Sequence, residues 1–362
     1  MSRYQIALIP GDGVGPELTE ATLKVLNALQ KKFDLNLNIV EVEAGDGCFE
    51  RRGVALPKDT VETIRNSHAC LKGPVGETAA EVVVKLRIMF DLYANIRPIK
   101  AHPSIPSLRP DIDFVFVREN TEDVYKGIEF MLGDTAICLR VITRKGCERI
   151  AKKAFEVARR RNGKKKVTAV HKANVMKVTC GLFAEVCREV AKQYPDITFE
   201  EQYVDAAAMR LIKEPQKFDV IVTTNMFGDI LSDEAAQLIG GLGMAPGANI
   251  GESFAIFEPV HGSAPTRVGK HTANPCSMIL AAKMMLDWLG ERHDDSKCSA
   301  AAQAVEKAVV ETLRKGITVP DFGGKAKTLE MGEAIAEGVL ESSRANGGSA
   351  INEKIHVQEL KI

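Results

Sequence analysis

Phe218-Asp219-Val220-Ile221-Val222-Thr223-Thr224-Asn225-Met226-Phe227-Gly228-Asp229-Ile230-Leu231-Ser232-Asp233-Glu234-Ala235-Ala236 joins two hydrophobic patterns in one short stretch. Val220, Ile221 and Val222 form a β-branched run suited to a buried strand, whereas the residues from Asp229 onward suit a helix. A helix starting near Gly228 puts Asp229 and Asp233 four residues apart on one face, just past the strand. Two like charges in a first turn have two readings. They can ligate a hard divalent cation, or they are ordinary acidic helix starters favoured by the macrodipole.

The 362-residue chain is long for one hydrophobic core, which predicts two domains. Its residues are 45% hydrophobic and 27% charged, the balance of a globular protein in water. Lys+Arg and Asp+Glu both number 48, so no basic excess points to nucleic acid. No apolar run is long enough to span a bilayer, and the N-terminal stretch reads as a strand rather than a secretory segment. A soluble protein of the cytoplasm, with no membrane partner, is the expectation. The 8 cysteines contain no CxxC and read as small buried hydrophobes in a reducing compartment.

Outward from the opening stretch, the same order recurs. Residues 4–9, 37–42, 69–71, 113–120, 167–170, 198–204 and 255–258 read as strands. Residues 18–30, 58–65, 81–92, 143–161, 179–193, 206–213, 275–290, 300–315 and 328–343 read as helices, and 240–251 as a loop. Residues 125–139 lack a strong period and read as strands or an extended arm. The polar tail from Asn346 is either disordered or returns to the surface. Strand, polar tip and helix in repetition predict an open α/β sheet with ligands outside the strands' carboxyl ends. Gly11-Asp12-Gly13-Val14-Gly15-Pro16 follows the first strand, but Pro16 stands where a dinucleotide fingerprint needs its third glycine. That turn is either a ligand loop or a tight connection.

The polar strand ends bring forward Arg87, Arg97, Arg118, Tyr125, Lys172, Asp205, Asp229 and Asp233. Arginine forks suit a substrate with more than one carboxylate. Three aspartates can hold Mg²⁺ or Mn²⁺, and a nearby lysine and tyrosine can exchange protons. Singly, each of these residues can equally be a surface charge, a cap or a core hydroxyl.

Together with these residues, Asp91-Leu92-Tyr93-Ala94-Asn95-Ile96-Arg97-Pro98, Arg118-Glu119-Asn120, His171-Lys172-Ala173-Asn174-Val175, Tyr203-Val204-Asp205 and Glu258-Pro259-Val260-His261-Gly262-Ser263-Ala264-Pro265 run through nearly the whole chain in order. In this pattern the sequence resembles the β-decarboxylating isocitrate/isopropylmalate dehydrogenase family. The resemblance implies two open α/β domains sharing a mixed sheet, not a Rossmann fold. The first domain comprises residues 1–98 plus 251–362, and the second, residues 99–250, carries a dimerisation arm. It also implies a homodimer with shared active sites, higher oligomers being possible, in which Lys172 and Asp205 enter the partner's site. The implied metal ligands are Asp205, Asp229 and Asp233. Lys172 and Tyr125 are the implied proton-transfer residues, and Arg87, Arg97, Arg118 and Asn174 the implied binders of a small di- or tricarboxylate.

In isocitrate enzymes of this family, Ser and Asn precede the Leu-Arg pair and meet the extra carboxylate. Glu81 and Val83 stand there in this chain, followed by Val84. Val83 and Val84 suit an isopropyl group, and an anionic Glu81 does not suit another carboxylate. The resemblance thereby points to oxidation of 3-isopropylmalate to 4-methyl-2-oxopentanoate, in leucine biosynthesis. Isocitrate, homoisocitrate and malate- or tartrate-type acids are the alternatives, and a noncatalytic regulatory subunit is the alternative outside enzymology. For the cofactor, His261, Gly262, Ser263, Ala264 and Asn274 match adenosine-side positions, with Glu77 and Glu258 toward the nicotinamide. Relatives that prefer NAD have an Asp where this chain has Thr266-Arg267, so NAD is the expectation and NADP stays open.

Overall fold

A computed structural model describes residues 4–341, and the tail from Asn346 lies outside the described residues. The apolar run Tyr4–Ile9 (β1) is flanked by two parallel neighbours, Leu37–Glu41 (β2) and Ala69–Lys72 (β3). Ala94–Lys100 (β4) and Asp113–Glu119 (β5) pair antiparallel. Glu129–Leu132 (β6) and Thr135–Cys138 (β7) form a separate two-stranded hairpin. Lys166–His171 (β8), Thr198–Tyr203 (β9), Val220–Thr223 (β10), Pro246–Ile250 (β11) and Ala255–Pro259 (β12) complete the sheet. Its ten strands run in the order β2-β1-β3-β12-β11-β4-β5-β10-β8-β9. Two all-parallel wings meet at an antiparallel centre formed by β12, β11, β4 and β5. This is the mixed α/β sheet expected, without Rossmann topology.

Among the described residues there are eleven α-helices. Gly15–Phe33 (α1), Asp46–Arg52 (α2), Lys58–Arg65 (α3) and Lys85–Met89 (α4) precede the arm. Arg144–Arg161 (α5), Thr179–Ala191 (α6), Val204–Lys213 (α7) and Asn225–Gln237 (α8) cover the second wing. Cys276–His293 (α9), Ser296–Arg314 (α10) and Thr328–Glu341 (α11) complete the set. α9 is buried on nearly every side, including Lys283, which explains why its sequence is apolar all round. No helix among the described residues is long and apolar enough to cross a membrane.

Several boundaries differ from the sequence pattern. α8 starts at Asn225, after Thr224 in extended backbone, so Asp229 and Asp233 lie beyond its first turn while keeping their i,i+4 relation. Residues 81–92 are not one helix. A π-helical turn spans Ala80–Val84 and α4 ends at Met89, as three consecutive branched valines crowd a regular α-turn. Within the expected loop 240–251, β11 is a fully buried central strand. Pro246 and Gly247 hide it, because neither supplies a strand-like side chain, and Pro is tolerated at a strand's first residue.

Gly13 decides the reading of the first glycine-rich turn. It sits at φ +61°, and a Cβ there would lie 2.0 Å from the Ser263 carbonyl oxygen. Val14 N–H donates to that same oxygen at 2.9 Å. The turn is a close backbone crossing that holds the residues after β12 against α1.

Candidate active site

Arg97 reaches out from β4 and Arg118 from β5, where Asn95 lies directly opposite Arg118. Both guanidiniums are almost wholly buried, at 6% and 0% exposure. α8 crosses them because Gly228 has no side chain; a Cβ there would sit 2.6 Å from Arg118 Cγ. Arg118 Nε donates to Asn225 Oδ1 at 2.9 Å, and its Nη1 bonds Asp229 Oδ1. Arg97 Nη1 donates to Asp233 Oδ1 and Ser232 Oγ, both at 2.8 Å, while Nη2 lies 3.3 Å from Asp229 Oδ1. Tyr125 Oη donates to the other Asp229 oxygen, and its ring lies under the Arg118 guanidinium. One carboxylate thus gathers two arginines and the tyrosine.

The electrostatics follow from that geometry. Burial pushes Asp229 up, but Arg118, Arg97 and the Tyr125 hydroxyl outweigh it and hold the carboxyl below its ordinary value. Burial wins at Asp233, with the neighbouring Asp229 charge adding to it, and its carboxyl is raised. Burial and the bond to Asp229 raise the Tyr125 phenol, keeping it a proton carrier at neutral pH. Burial and the adjacent Arg97 push Arg118 down to about 10, still cationic.

A buried polar ladder continues across the sheet. Arg97 Nε donates to Asn95 at 2.7 Å, Asn95 to Asn249 at 2.9 Å, and Asn249 to Glu258 at 2.7 Å. Glu258 also receives Arg87 at 3.1 Å and lies 2.9 Å from Lys72 Nζ. Burial alone would raise Glu258, yet Lys72 and Arg87 hold it well below the usual carboxylate range. Glu258 is therefore committed to the ladder that positions Arg87. Breaking such a buried pair by removing one partner costs ~3–5 kcal/mol. Lys72, Asn95 and Asn249 were not singled out by sequence; their one signal is a polar side chain inside an otherwise apolar strand.

Glu77 is exposed on a loop fixed by two carboxylates. Asp12 accepts from Gly76 N–H at 3.0 Å, and Asp46 accepts from Glu77 N–H at 2.9 Å and Thr78 N–H at 2.8 Å. Past that loop, Val82 is fully buried, Val83 packs against the core edge and Val84 is half-buried. Glu81 lies on the opposite side, exposed and 3.6 Å from Lys85. The acid is turned to solvent, Val82 into the core, and Val83 and Val84 stay partly exposed.

Lys172 and Asp205 do not join the Arg97, Arg118 and Asp229 cluster within one chain. They form their own 2.6 Å pair, with Asp205 exposed and its carboxyl lowered by Lys172. Asn174 is exposed on the loop after Lys172. Asp229 and Asp233 give a hard cation two carboxylates one helical turn apart, a donor set that fits Mg²⁺ or Mn²⁺. Among the described residues no group of three or more His, Cys, Asp or Glu could complete such a site.

A second cleft of about 420 Å³ is lined in part by Val14, His261, Ala264, Arg267, Asn274 and Asp321. His261 Nε2 is 3.1 Å from Ser277 Oγ and Nδ1 2.8 Å from the Gly262 carbonyl, while burial lowers its basicity. Asn274 accepts from Cys276 N–H at 3.0 Å. Ser263 faces Val14, Ala264 stands at φ +44° before a short 3₁₀ turn, and Thr266 is exposed within that turn. Arg267 pairs with Asp321 at 2.6 Å.

Two buried arginines meeting two aspartates and a tyrosine at their solvent-facing edge, on a mixed sheet of this order, belong to an enzyme handling small carboxylic acids. The chain belongs to the isocitrate/isopropylmalate dehydrogenase family, whose model matches residues 5–335, and is a β-decarboxylating dehydrogenase. It is 52% identical over 336 residues to the 3-isopropylmalate dehydrogenase of Methanothermobacter thermautotrophicus, covering 93% of this chain and 98% of that one. With the isocitrate/homoisocitrate dehydrogenase of Thermus thermophilus identity is 47%, covering 92% and 98%. The solved isocitrate dehydrogenase of Methylococcus capsulatus superposes with TM-score 0.87 at 45% identity, covering 93% of this chain and 99% of that one.

Proposed function

We propose that this enzyme oxidatively decarboxylates 3-isopropylmalate to 4-methyl-2-oxopentanoate and CO₂, reducing NAD. The observation that carries the reading is Arg97, Arg118 and Tyr125 converging on Asp229 beside Asp233. Relatives named 3-isopropylmalate dehydrogenase at about 50% identity support the substrate, as do the partly exposed apolar side chains of Val83 and Val84 while Glu81 meets Lys85.

Arg97 and Arg118 would hold the substrate carboxylates, releasing their present acidic partners as substrate enters, and Arg87 would do so while keeping its bond to Glu258. Asp229 and Asp233, with Asp205 of the partner subunit, would hold Mg²⁺ or Mn²⁺. When bound, that cation would supply Lewis-acid polarisation of the oxygen on the reacting carbon, and NAD would supply the hydride acceptor. Lys172 of the partner subunit would take the hydroxyl proton, and Asn174 would lie beside it. Tyr125 would deliver a proton to the carbon that loses CO₂. His261, Asn274 and the 262–266 segment would line the adenosine side and Glu77 the nicotinamide side. The Arg267–Asp321 pair supports NAD over NADP, since the arginine's charge is already engaged.

The same proposal includes a homodimer. Phe130, Met131 and Leu132 on the hairpin, and Met209, Ile212 and Ile230 on α7 and α8, are exposed apolar side chains that a second copy would cover. The division into residues 1–98 with 251–362 and residues 99–250 is also retained, with the antiparallel centre of the sheet as its hinge.

The test is a matrix assay of 3-isopropylmalate, isocitrate, homoisocitrate and D-malate with NAD or NADP and Mg²⁺ or Mn²⁺. Highest kcat/KM for 3-isopropylmalate with NAD is expected. A preference for isocitrate or homoisocitrate, the reading favoured by relatives at 46–47% identity, overturns the substrate choice.

A further inference from the structure

We infer that Asp123 and Arg140 form a positioning pair that sets Tyr125 and couples it to the protruding hairpin. The inference rests on Tyr125 being the proton donor of the reaction proposed above. Asp123 is wholly buried, at φ +71° and ψ −147°, close to a region that only glycine adopts freely. A non-glycine residue persists there only when its surroundings hold it in several ways at once. Here they do. Its carboxylate accepts from Val124 N–H at 3.0 Å, which caps the 3₁₀ turn carrying Tyr125, and from Met226 N–H at 3.2 Å in α8. Its own N–H donates to the Val141 carbonyl at 2.8 Å.

Arg140 lies two residues past β7, on the segment returning from the hairpin. Its Nε is 2.7 Å from Asp123 Oδ1, and Nη2 donates to Asp123 Oδ2 at 3.0 Å and to Thr224 Oγ1 at 2.6 Å. Nη1 reaches Met176 Sδ at 3.0 Å and Cys180 Sγ at 3.5 Å, and the guanidinium covers the Phe227 ring. One side chain therefore touches the start of α8, the segment after Lys172 and the Asp123 turn. A hairpin seated on a neighbour would hold Arg140 in place, and through Asp123 would fix Tyr125 against Asp229. In the step served, the Tyr125 O–H bond breaks, a C–H bond forms at the carbon that lost CO₂ as the enolate's C=C pair moves there and its C–O⁻ becomes the 2-oxo C=O, and the tyrosinate recovers its proton from water.

The variants are Asp123→Asn, Asp123→Gly, Arg140→Met and Arg140→Lys in the full-length enzyme. Glycine suits the backbone conformation, so Asp123→Gly removes the carboxylate without adding backbone strain. In D₂O, wild-type enzyme is expected to place one deuterium with a single stereochemistry on the carbon that lost CO₂. Asp123→Gly, Asp123→Asn and Arg140→Met are expected to lose at least tenfold in kcat, keep KM for the diacid within about threefold, retain the first-turnover NADH burst and scramble that stereochemistry. Arg140→Lys is expected to recover part of both. Wild-type kcat and single stereochemistry in both Asp123→Gly and Arg140→Met overturn the positioning pair while leaving the reaction intact. No turnover of any diacid by wild-type enzyme overturns the underlying reading instead.

Discussion

Tyr125 and Arg118 illustrate how much single side chains are asked to do. The phenol is raised by burial and by Asp229, so it is protonated at neutral pH. Tyr125→Phe keeps the ring under Arg118 and removes the hydroxyl alone. A fall in kcat of ~10²-fold with KM nearly unchanged is expected in steady-state assays. Asp233 is shifted in the same direction, by burial first, but there the neutral form is the one that loses function. Its carboxyl is raised, so it takes up a proton before Asp229 does as pH falls, and divalent-metal affinity should weaken on the acid side through Asp233 first. Titrating Mn²⁺ binding by electron paramagnetic resonance across pH 4–7 checks this, and Asp233→Asn should remove the acid limb along with most of the affinity. The candidates at this scale were legible in the chain because arginine, aspartate and tyrosine interrupt or follow apolar runs, although the structure places Arg97 within β4 and both aspartates within α8. Lys72 and Asn249 were not, since a polar residue inside an apolar run has no partner until the strands are ordered.

At the scale of elements, α8 can lie on β5 only because position 228 is glycine. Gly228→Ala would drive a methyl group into the Arg118 stem and lift that guanidinium away from Asn225 and Asp229. Overpacking of this kind costs ~1–3 kcal/mol. The variant is expected to show a lower midpoint in urea and at least a tenfold higher KM for the diacid. The opening stretch carried the strand and helix flanking this glycine, but not the reason for it. β11 is the contrary case: its residues lack alternation because both faces are buried at the centre of the sheet. The three valines at 82–84 likewise read as part of one helix, and packing resolves them into a π-turn with Val82 in the core.

For the molecule as a whole, the Lys172–Asp205 pair stands apart from the arginine cluster, and the proposed dimer is what would join them. Lys172→Ala and Asp229→Asn should each be inactive. Dissociated, mixed and reassociated, they should recover about a quarter of wild-type activity, because half the dimers would be mixed and each would hold one intact site. No recovery from demonstrably mixed dimers would place both residues in the same subunit's site. Global stability should carry its own signature from His102, which burial drives down to about 4. Its folded value lies below its unfolded one, so the stability it contributes is present above pH 6.5 and lost as pH falls toward 4. Asp287, raised to about 6, works in the opposite direction between 3.8 and 6 and offsets part of that loss. In urea unfolding, His102→Asn should flatten the decline between pH 6.5 and 4.5, by up to ~3 kcal/mol.

Strand and helix periods, the spacing of Asp229 and Asp233, and the order of the polar tips were determined by the sequence alone, because each depends on neighbours a few residues apart. The direction in which Glu81 turns, the engagement of Arg267 by Asp321, the burial of β11 and the hold of Arg140 on Asp123 were decided only by tertiary structure. Those features depend on which distant segments share a surface, and burial and charge pairing act between segments that local pattern leaves unrelated.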